Sequence, residues 1–190
     1  MKLDQLLDHL TADPAVMAGV SNWEVLPPRE ARYGEIPACM DDRVTQALTR
    51  RGITRLYTHQ SSAVLASAQD KDIVVVTPTA SGKTMCYNIP VLSAILKNPD
   101  ARALYLFPTK ALSSDQVAEL YDLIKLIDAD IKTFTYDGDT PAAARRSIRQ
   151  AGHVVVTNPD MLQSNILPHH TKWVKLFENL EYIVIDEIHA

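Results

Sequence analysis

The sequence predicts an α/β domain built on a mainly parallel sheet flanked by helices. Three observations carry this. The continuous β-branched run Ile73-Val74-Val75-Val76 has the composition of a strand buried on both faces, the habit of parallel sheets. Four more apolar segments of strand length follow, at Ala103–Phe107, Ile131–Tyr136, His153–Thr157 and Tyr182–Asp186. Helical segments separate them, and parallel neighbours need such crossovers.

The helices follow from their periods and end signals. Lys83–Lys97 is one. Lys110–Ile127 is another, with Val117, Leu120, Tyr121 and Ile124 on one face. Ala142–Gln150 is a third, with Thr140 expected as its cap and Pro141 at its first position. Asn158-Pro159 repeats that start signal. Upstream, Leu3, Leu6, Leu7 and Leu10 form the stripe of a short amphipathic helix that Asp13-Pro14 ends. Residues 15–40 hold Pro27, Pro28 and Pro37 and no period, which reads as an extended arm. Asp41 or Asp42 caps a helix that runs to about Arg51 and stops at Gly52. A further helix is expected over His59–Ala68, with Thr58 as its cap. The expected organisation is therefore a helix and arm over 1–40 and the α/β domain over 41–190. No helix follows the last strand before Ala190, so the domain is expected to be incomplete at its C-terminus, a piece of a longer protein.

Composition removes several classes. At 46% hydrophobic and 22% charged the chain is globular, not disordered. It holds no apolar run of membrane-spanning length, and Asp4, Asp8 and His9 interrupt the N-terminal leucines, unlike a signal peptide. Cys39 and Cys86 form no CxxC pair, which argues against a disulfide framework or a zinc site and suits a reducing cytoplasm. The formal net charge of −4 provides no global attraction for nucleic acid, though a local basic groove is compatible with it.

Two segments carry chemistry. Thr77-Pro78-Thr79-Ala80-Ser81-Gly82-Lys83-Thr84 lies directly between a strand and a helix, the context a phosphate-binding loop requires. A triphosphate needs a concave array of backbone N–H groups and a helix N-terminus aimed at it, and residues Ala80–Thr84 provide both. Lys83 adds a positive charge for the β- and γ-phosphates, and the Thr84 hydroxyl can join a Mg²⁺ shell. The second segment, Tyr182-Ile183-Val184-Ile185-Asp186-Glu187-Ile188-His189, delivers two adjacent carboxylates at the C-terminal end of an apolar strand, the edge where such sheets bind ligands. Asp186 is suited to hold Mg²⁺ and Glu187 to orient an attacking water. An ordinary strand-to-turn boundary uses the same residue types.

Together these segments resemble a superfamily 2 DExH-box helicase, with DEIH at 186–189. The resemblance implies the first RecA-like P-loop NTPase lobe, ending just after its Walker B strand, with ATP and Mg²⁺ as ligands. It implies catalytic roles for Lys83, Asp186, Glu187 and His189, the histidine coupling hydrolysis to movement. Leu56-Tyr57-Thr58-His59-Gln60 resembles the family's Q motif. There Gln60 would read the adenine edge, with Tyr57 near the base. The nucleotide set is then Tyr57, Gln60, Thr79, Ala80, Ser81, Gly82, Lys83 and Thr84, with Mg²⁺ held by Thr84 and Asp186. Phe107–Leu112 and Thr157–Asp160 resemble motifs Ia and Ib, which place Thr109, Lys110, Thr157 and Asn158 on a nucleic-acid strand. Plain helix capping uses the same residues.

LYTHQ, TPTASGKT, LYLFPTKAL, TYDGDT, TNPDML and ILPHH, in this order, resemble the MrfA-type bacterial DNA-repair helicases. That family implies ATP-driven translocation on single-stranded DNA and a second RecA-like lobe as partner. Without that lobe's arginine, this piece is expected to hydrolyse ATP very slowly and unwind nothing. The alternatives are an RNA helicase or another P-loop ATPase, and a non-catalytic truncated product or interaction module. His169 and His170 have no Cys or carboxylate at ligand spacing and read as a polar loop. Cys86 reads as a buried structural thiol.

Overall fold

The computed structural model describes residues 3–25, 27, 30–78 and 81–187, with the backbone alone for 110–112. The chain divides into two compact units after Ala31. In the first, α1 (Leu3–Ala12) carries the leucine stripe. Asp13 caps the short α2 (Pro14–Met17) by accepting the Ala15 N–H at 2.8 Å. The division after Ala31 lies nine residues before the boundary expected after Met40. Within the segment expected as an arm, Tyr33–Gly34 form β1, which pairs antiparallel with β2 (Leu56–Tyr57) inside the second unit.

The second unit is the expected α/β layer structure. Its four-stranded parallel sheet has the order β4-β5-β3-β6, with β3 (Arg102–Leu106), β4 (Thr133–Thr135), β5 (Val154–Thr157) and β6 (Leu180–Ile185). Alternate residues of the strands face two cores. Ala103, Tyr105, Val154, Val156 and Val184 pack in one core, which also holds Val44, Leu48, Val64, Ile89, Leu92, Leu120 and Leu123. These come from α3 (Asp42–Arg50), α4 (Thr58–Ser67), α5 (Thr84–Lys97) and α6 (Lys110–Ile127). Leu104, Leu106 and Val155 face the other core with Ile148, Ile166, Trp173 and Leu176. Ile148 lies on α7 (Ala142–Ala151) and Leu176 on α9 (Val174–Glu178). Between them the chain forms α8 (Pro159–Met161), a π turn and a 3₁₀ segment that carries His169 and His170.

Local chemistry explains most boundaries. Asp41 caps α3 by accepting the Arg43 N–H at 2.9 Å, and Gly52 follows at φ 79°. Asn158 caps α8 through Met161 N–H at 2.8 Å. Two caps differ from expectation. Tyr57, not Thr58, stands at the N-cap of α4, because Gln60 reaches back to accept the Tyr57 N–H at 2.9 Å. Pro141, not Thr140, stands at the N-cap of α7. The Thr140 hydroxyl closes the preceding turn instead, accepting the Asp137 N–H at 2.8 Å.

One expected strand is absent. Residues 73–76 join no ladder, and Val74 and Val76 are 86% and 89% exposed. Ile73 and Val75 line a cavity of about 520 Å³ that residues of β6 also line, yet no ladder joins the two segments. A β-branched run promotes a strand only where a partner supplies the ladder. Among the described residues no helix is long and apolar enough to cross a membrane.

His153, just before β5, accepts the Lys132 N–H through Nδ1 at 3.0 Å. Burial first, then the charge of Arg102, lowers its pKa below the usual histidine value. The unfolded chain therefore binds more protons than the folded one between the two pKa values. This contribution is complete above about pH 6.5 and is lost as pH falls through the folded pKa. The urea midpoint is expected to drop on acidification from about pH 7.5 to about pH 5.5, and His153→Asn to shrink that drop. An unchanged pH dependence in the variant would contradict this.

Candidate nucleotide site

Parallel strands place all their C-terminal ends on one edge of the sheet. Phe107 and Thr109 follow β3, Asn158 follows β5 and Asp186 follows β6, so the expected motif residues gather on that edge. Asp186 continues the ladder for one more bond, its N–H donating to the Leu106 carbonyl at 3.1 Å. Glu187 then turns away in the left-handed region, φ 53°, with its N–H on Asp186 Oδ1 at 3.0 Å. The carboxylate pair therefore sits on a sharp turn directly off the sheet.

The loop before α5 faces the same space. Lys83, Cys86 and Tyr87 line the 520 Å³ cavity together with Asp186. Lys83 Nζ donates to the Thr77 carbonyl at 2.9 Å and to that of Pro78 at 3.4 Å, folding the lysine back across the loop. The hydroxyls of Thr77 and Ser81 are 2.6 Å apart and close the loop at its base. Thr79, Ala80 and His189, all expected site residues, lie outside the described residues, as does the Lys110 side chain.

Thr84 donates its hydroxyl hydrogen to Gln116 Oε1 at 2.7 Å, and Tyr87 donates to the same oxygen at 3.2 Å. With its hydrogen committed to α6, the Thr84 oxygen keeps its lone pairs for a cation. Asp186 lines the cavity together with Lys83, the residue just before Thr84, and a hydroxyl and a carboxylate are both oxygen donors of the kind Mg²⁺ prefers. Burial first, and then the charge of Asp186, holds the Tyr87 hydroxyl above the usual tyrosine range. Burial likewise pushes the Cys86 thiol up to about 11, so Cys86 is the inert buried thiol expected.

α4 closes the site from the other side. His59 Nε2 lies 3.0 Å from the Ser81 carbonyl, and Gln60 Nε2 donates to the Gly82 carbonyl at 2.9 Å. Gly82 has φ 74°, and a Cβ there would lie 2.6 Å from Gln60 Nε2. Both ends of the Gln60 amide thus contact backbone, Tyr57 at one end and Gly82 at the other, and the residue is 5% exposed. The expected reading of adenine by Gln60 would require exchanging those bonds. Tyr57 stacks on Tyr33 at 5.3 Å and on His59 at 5.7 Å, and the Arg55 guanidinium covers Tyr33 at 4.0 Å.

The expected nucleic-acid contacts divide. Thr109 is exposed at the start of α6. Asn158 caps α8. Thr157 is corrected: it is 4% exposed and its hydroxyl donates to the Tyr136 carbonyl at 2.7 Å, so it ties β5 to the turn beyond β4. Arg145 donates to the Thr140 carbonyl at 3.0 Å and lies over the Tyr136 ring. His169 and His170 contact the Asn165 and Leu167 carbonyls, and no metal-binding cluster occurs among the described residues. Motif reading did not single out Gln116 or the His59 contact. Gln116 carries no signal, lying mid-helix, whereas His59 adjoins Gln60 on α4 and is found by asking what that neighbour touches.

The family model for DEAD/DEAH box helicases matches residues 57–190. The chain is 57% identical over 184 residues to the ATP-dependent helicase YprA of Bacillus subtilis, covering 97% of this chain and 25% of that protein. It is 37% identical to the ATP-dependent helicase hrq1 of Schizosaccharomyces pombe, covering 99% of this chain and 18% of that protein. A crystal structure of the DUF1998 helicase MrfA bound to DNA and AMPPNP matches the whole chain with a TM-score of 0.88 at 55% identity, over 26% of the MrfA chain. The chain thus spans about a quarter of YprA and MrfA and less of hrq1.

Gly82→Ala places a methyl against Gln60 in a backbone conformation that disfavours side chains. It is expected to destabilise the chain by about 1–3 kcal/mol, read as a lower denaturant midpoint. An unchanged midpoint would show that the loop does not hold this conformation in solution.

Proposed function

The chain belongs to the DEAD/DEAH box helicase family, and on that premise we propose that it is the ATP-binding lobe of a DNA helicase or translocase. The observation that carries the reading is the shared cavity of Lys83 and Asp186, with the N-terminus of α5 on one side and the end of β6 on the other. A triphosphate enters between them. The loop amides and Lys83 neutralise its β- and γ-phosphates, and Thr84 and Asp186 would be the residues to hold Mg²⁺. Bound there, Mg²⁺ would offset charge on the phosphate oxygens. Glu187, on the turn beside Asp186, orients the water that attacks the γ-phosphate. Tyr57 and Gln60 flank the loop on the base side, Gln60 as a brace rather than a free hydrogen-bonding edge.

The nucleic-acid side rests on Thr109 and Asn158, at the starts of helices on the same edge. MrfA is described bound to DNA, which favours DNA over RNA as the partner; a single strand as the form bound and repair as the setting follow only from the resemblance to MrfA-type helicases. YprA and MrfA are about four times as long as this chain, which supports a second lobe as the partner that completes the reaction. Cys39 and Cys86, both free, suit the reducing cytoplasm.

Binding of a fluorescent ATP analogue, with and without Mg²⁺, tests this. Lys83→Ala is expected to weaken binding by about tenfold or more, because charge-assisted bonds to phosphate are the strong ones. Asp186→Asn is expected to remove most of the Mg²⁺ enhancement while leaving metal-free binding near that of the native chain. Equal affinities in all three proteins would refute the site. The chain by itself is expected to separate no DNA duplex, and ATP-dependent strand separation by it would contradict the proposed need for a second lobe.

A further inference from the structure

A peptide plane has two sides. In a trans peptide the C=O of one residue and the N–H of the next point in opposite directions. A hydrogen bond that fixes the carbonyl of Ser81 therefore also fixes the direction of the Gly82 N–H. A bond to the carbonyl of Gly82 does the same for the Lys83 N–H. Consecutive side chains of α4 make these two bonds, His59 at 3.0 Å and Gln60 at 2.9 Å. Both carbonyls are held toward α4, so both N–H groups are turned to the opposite side of the loop. Those two amides lead into α5, where an anion would be received.

His59 is itself held by a ladder. Its ring stacks on Tyr57 with an interplanar angle of 13°, and Tyr57 stacks on Tyr33 with 19°. Arg55 lies over the far ring at 4.0 Å. The ladder is anchored by the β1–β2 pairing, in which Tyr33 faces Tyr57, and by the Thr58 N–H on the Arg32 carbonyl at 3.0 Å. Next to it, Gly34 approaches so closely that a Cβ there would lie 2.9 Å from the Ser61 Cβ. The end of the arm is thereby locked to the start of α4, and the start of α4 to the loop.

We propose that His59 is a positioning residue for the phosphate loop, donating from Nε2 to the Ser81 carbonyl and so aiming the Gly82 N–H at the nucleotide. It touches no phosphate. It acts by sparing the loop the entropy of ordering when the ligand arrives, so its loss appears in affinity. The proposal rests on the nucleotide site above.

Four chains are compared in Mg²⁺ with the fluorescent ATP analogue: native, His59→Phe, His59→Gln and Lys83→Ala. Phenylalanine keeps the stack on Tyr57 but cannot donate. Glutamine loses the aromatic ring but carries an N–H donor of similar reach. His59→Phe is expected to bind about fivefold to tenfold more weakly, the size of one ordinary hydrogen bond, with an unfolding midpoint near that of the native chain. His59→Gln is expected to recover most of the affinity. If Lys83→Ala weakens binding but His59→Phe does not, the positioning role is overturned while the site stands. If both His59 variants bind equally poorly, the ring and its stack matter rather than the donor, which also overturns it. If Lys83→Ala has no effect, the underlying site fails.

Discussion

The hydrogen bonds from His59 and Gln60 to the carbonyls of Ser81 and Gly82 fix the loop at the head of α5 against α4. They demand a glycine at 82, since the left-handed backbone there and the 2.6 Å approach of Gln60 leave no room for a side chain. Once the loop is held, α5 starts directly after it, with Lys83, Cys86 and Tyr87 on the cavity. Lys83 then lies across the loop's mouth on the carbonyls of Thr77 and Pro78. Those contacts to neutral oxygens are ones a phosphate can replace with stronger, charge-assisted bonds. On the proposed reading the loop would be pre-shaped for an anion, with its lysine resting on weaker partners.

The opposite wall depends on the sheet. Because β3 and β6 are parallel and in register from Ala103 with Tyr182 to Leu106 with Ile185, the end of the ladder decides where Asp186 stands. Its bond to Leu106 makes it the last sheet residue, and the turn at Glu187 follows at once. Position here comes from backbone hydrogen bonds and so is stiff. The charge placed at that point is felt across the cavity, where it adds to burial in keeping the Tyr87 hydroxyl protonated. Tyr87 can thus remain a donor to Gln116, and Thr84, on the same acceptor, is held by α6 as well as by α5.

Much of this was legible in the sequence. Apolar period and cap chemistry located α1, α3, α5 and α6, and β3, β5 and β6 within a residue or two, because those signals are local and each element packs as its pattern demands. The clustering of Lys83 and Asp186 followed from one topological rule, that parallel strands present their C-terminal ends together. Three features escaped. The run at 73–76 has strand composition, but a strand also needs a neighbour that supplies the ladder, and this run joins none. Thr140 and Thr157 have the side chains of caps and phosphate ligands. Each instead bonds a nearby backbone group, Asp137 and Tyr136 respectively, which no spacing rule distinguishes in advance. The partners of Gln60, the Tyr57 N–H and the Gly82 carbonyl, are not legible in the sequence, because they depend on how closely α4 approaches the loop.

Titrating Mn²⁺–ATP into the isotopically labelled chain and following its amide resonances locates the bound triphosphate. Paramagnetic broadening is expected to be strongest at residues 81–84 and, in the same titration, at 186–187, with Thr157 and the α7 arginines far less affected. Broadening at the loop without any at 186–187, or centred elsewhere on the sheet, would contradict a triphosphate and its metal shared between Lys83 and Asp186.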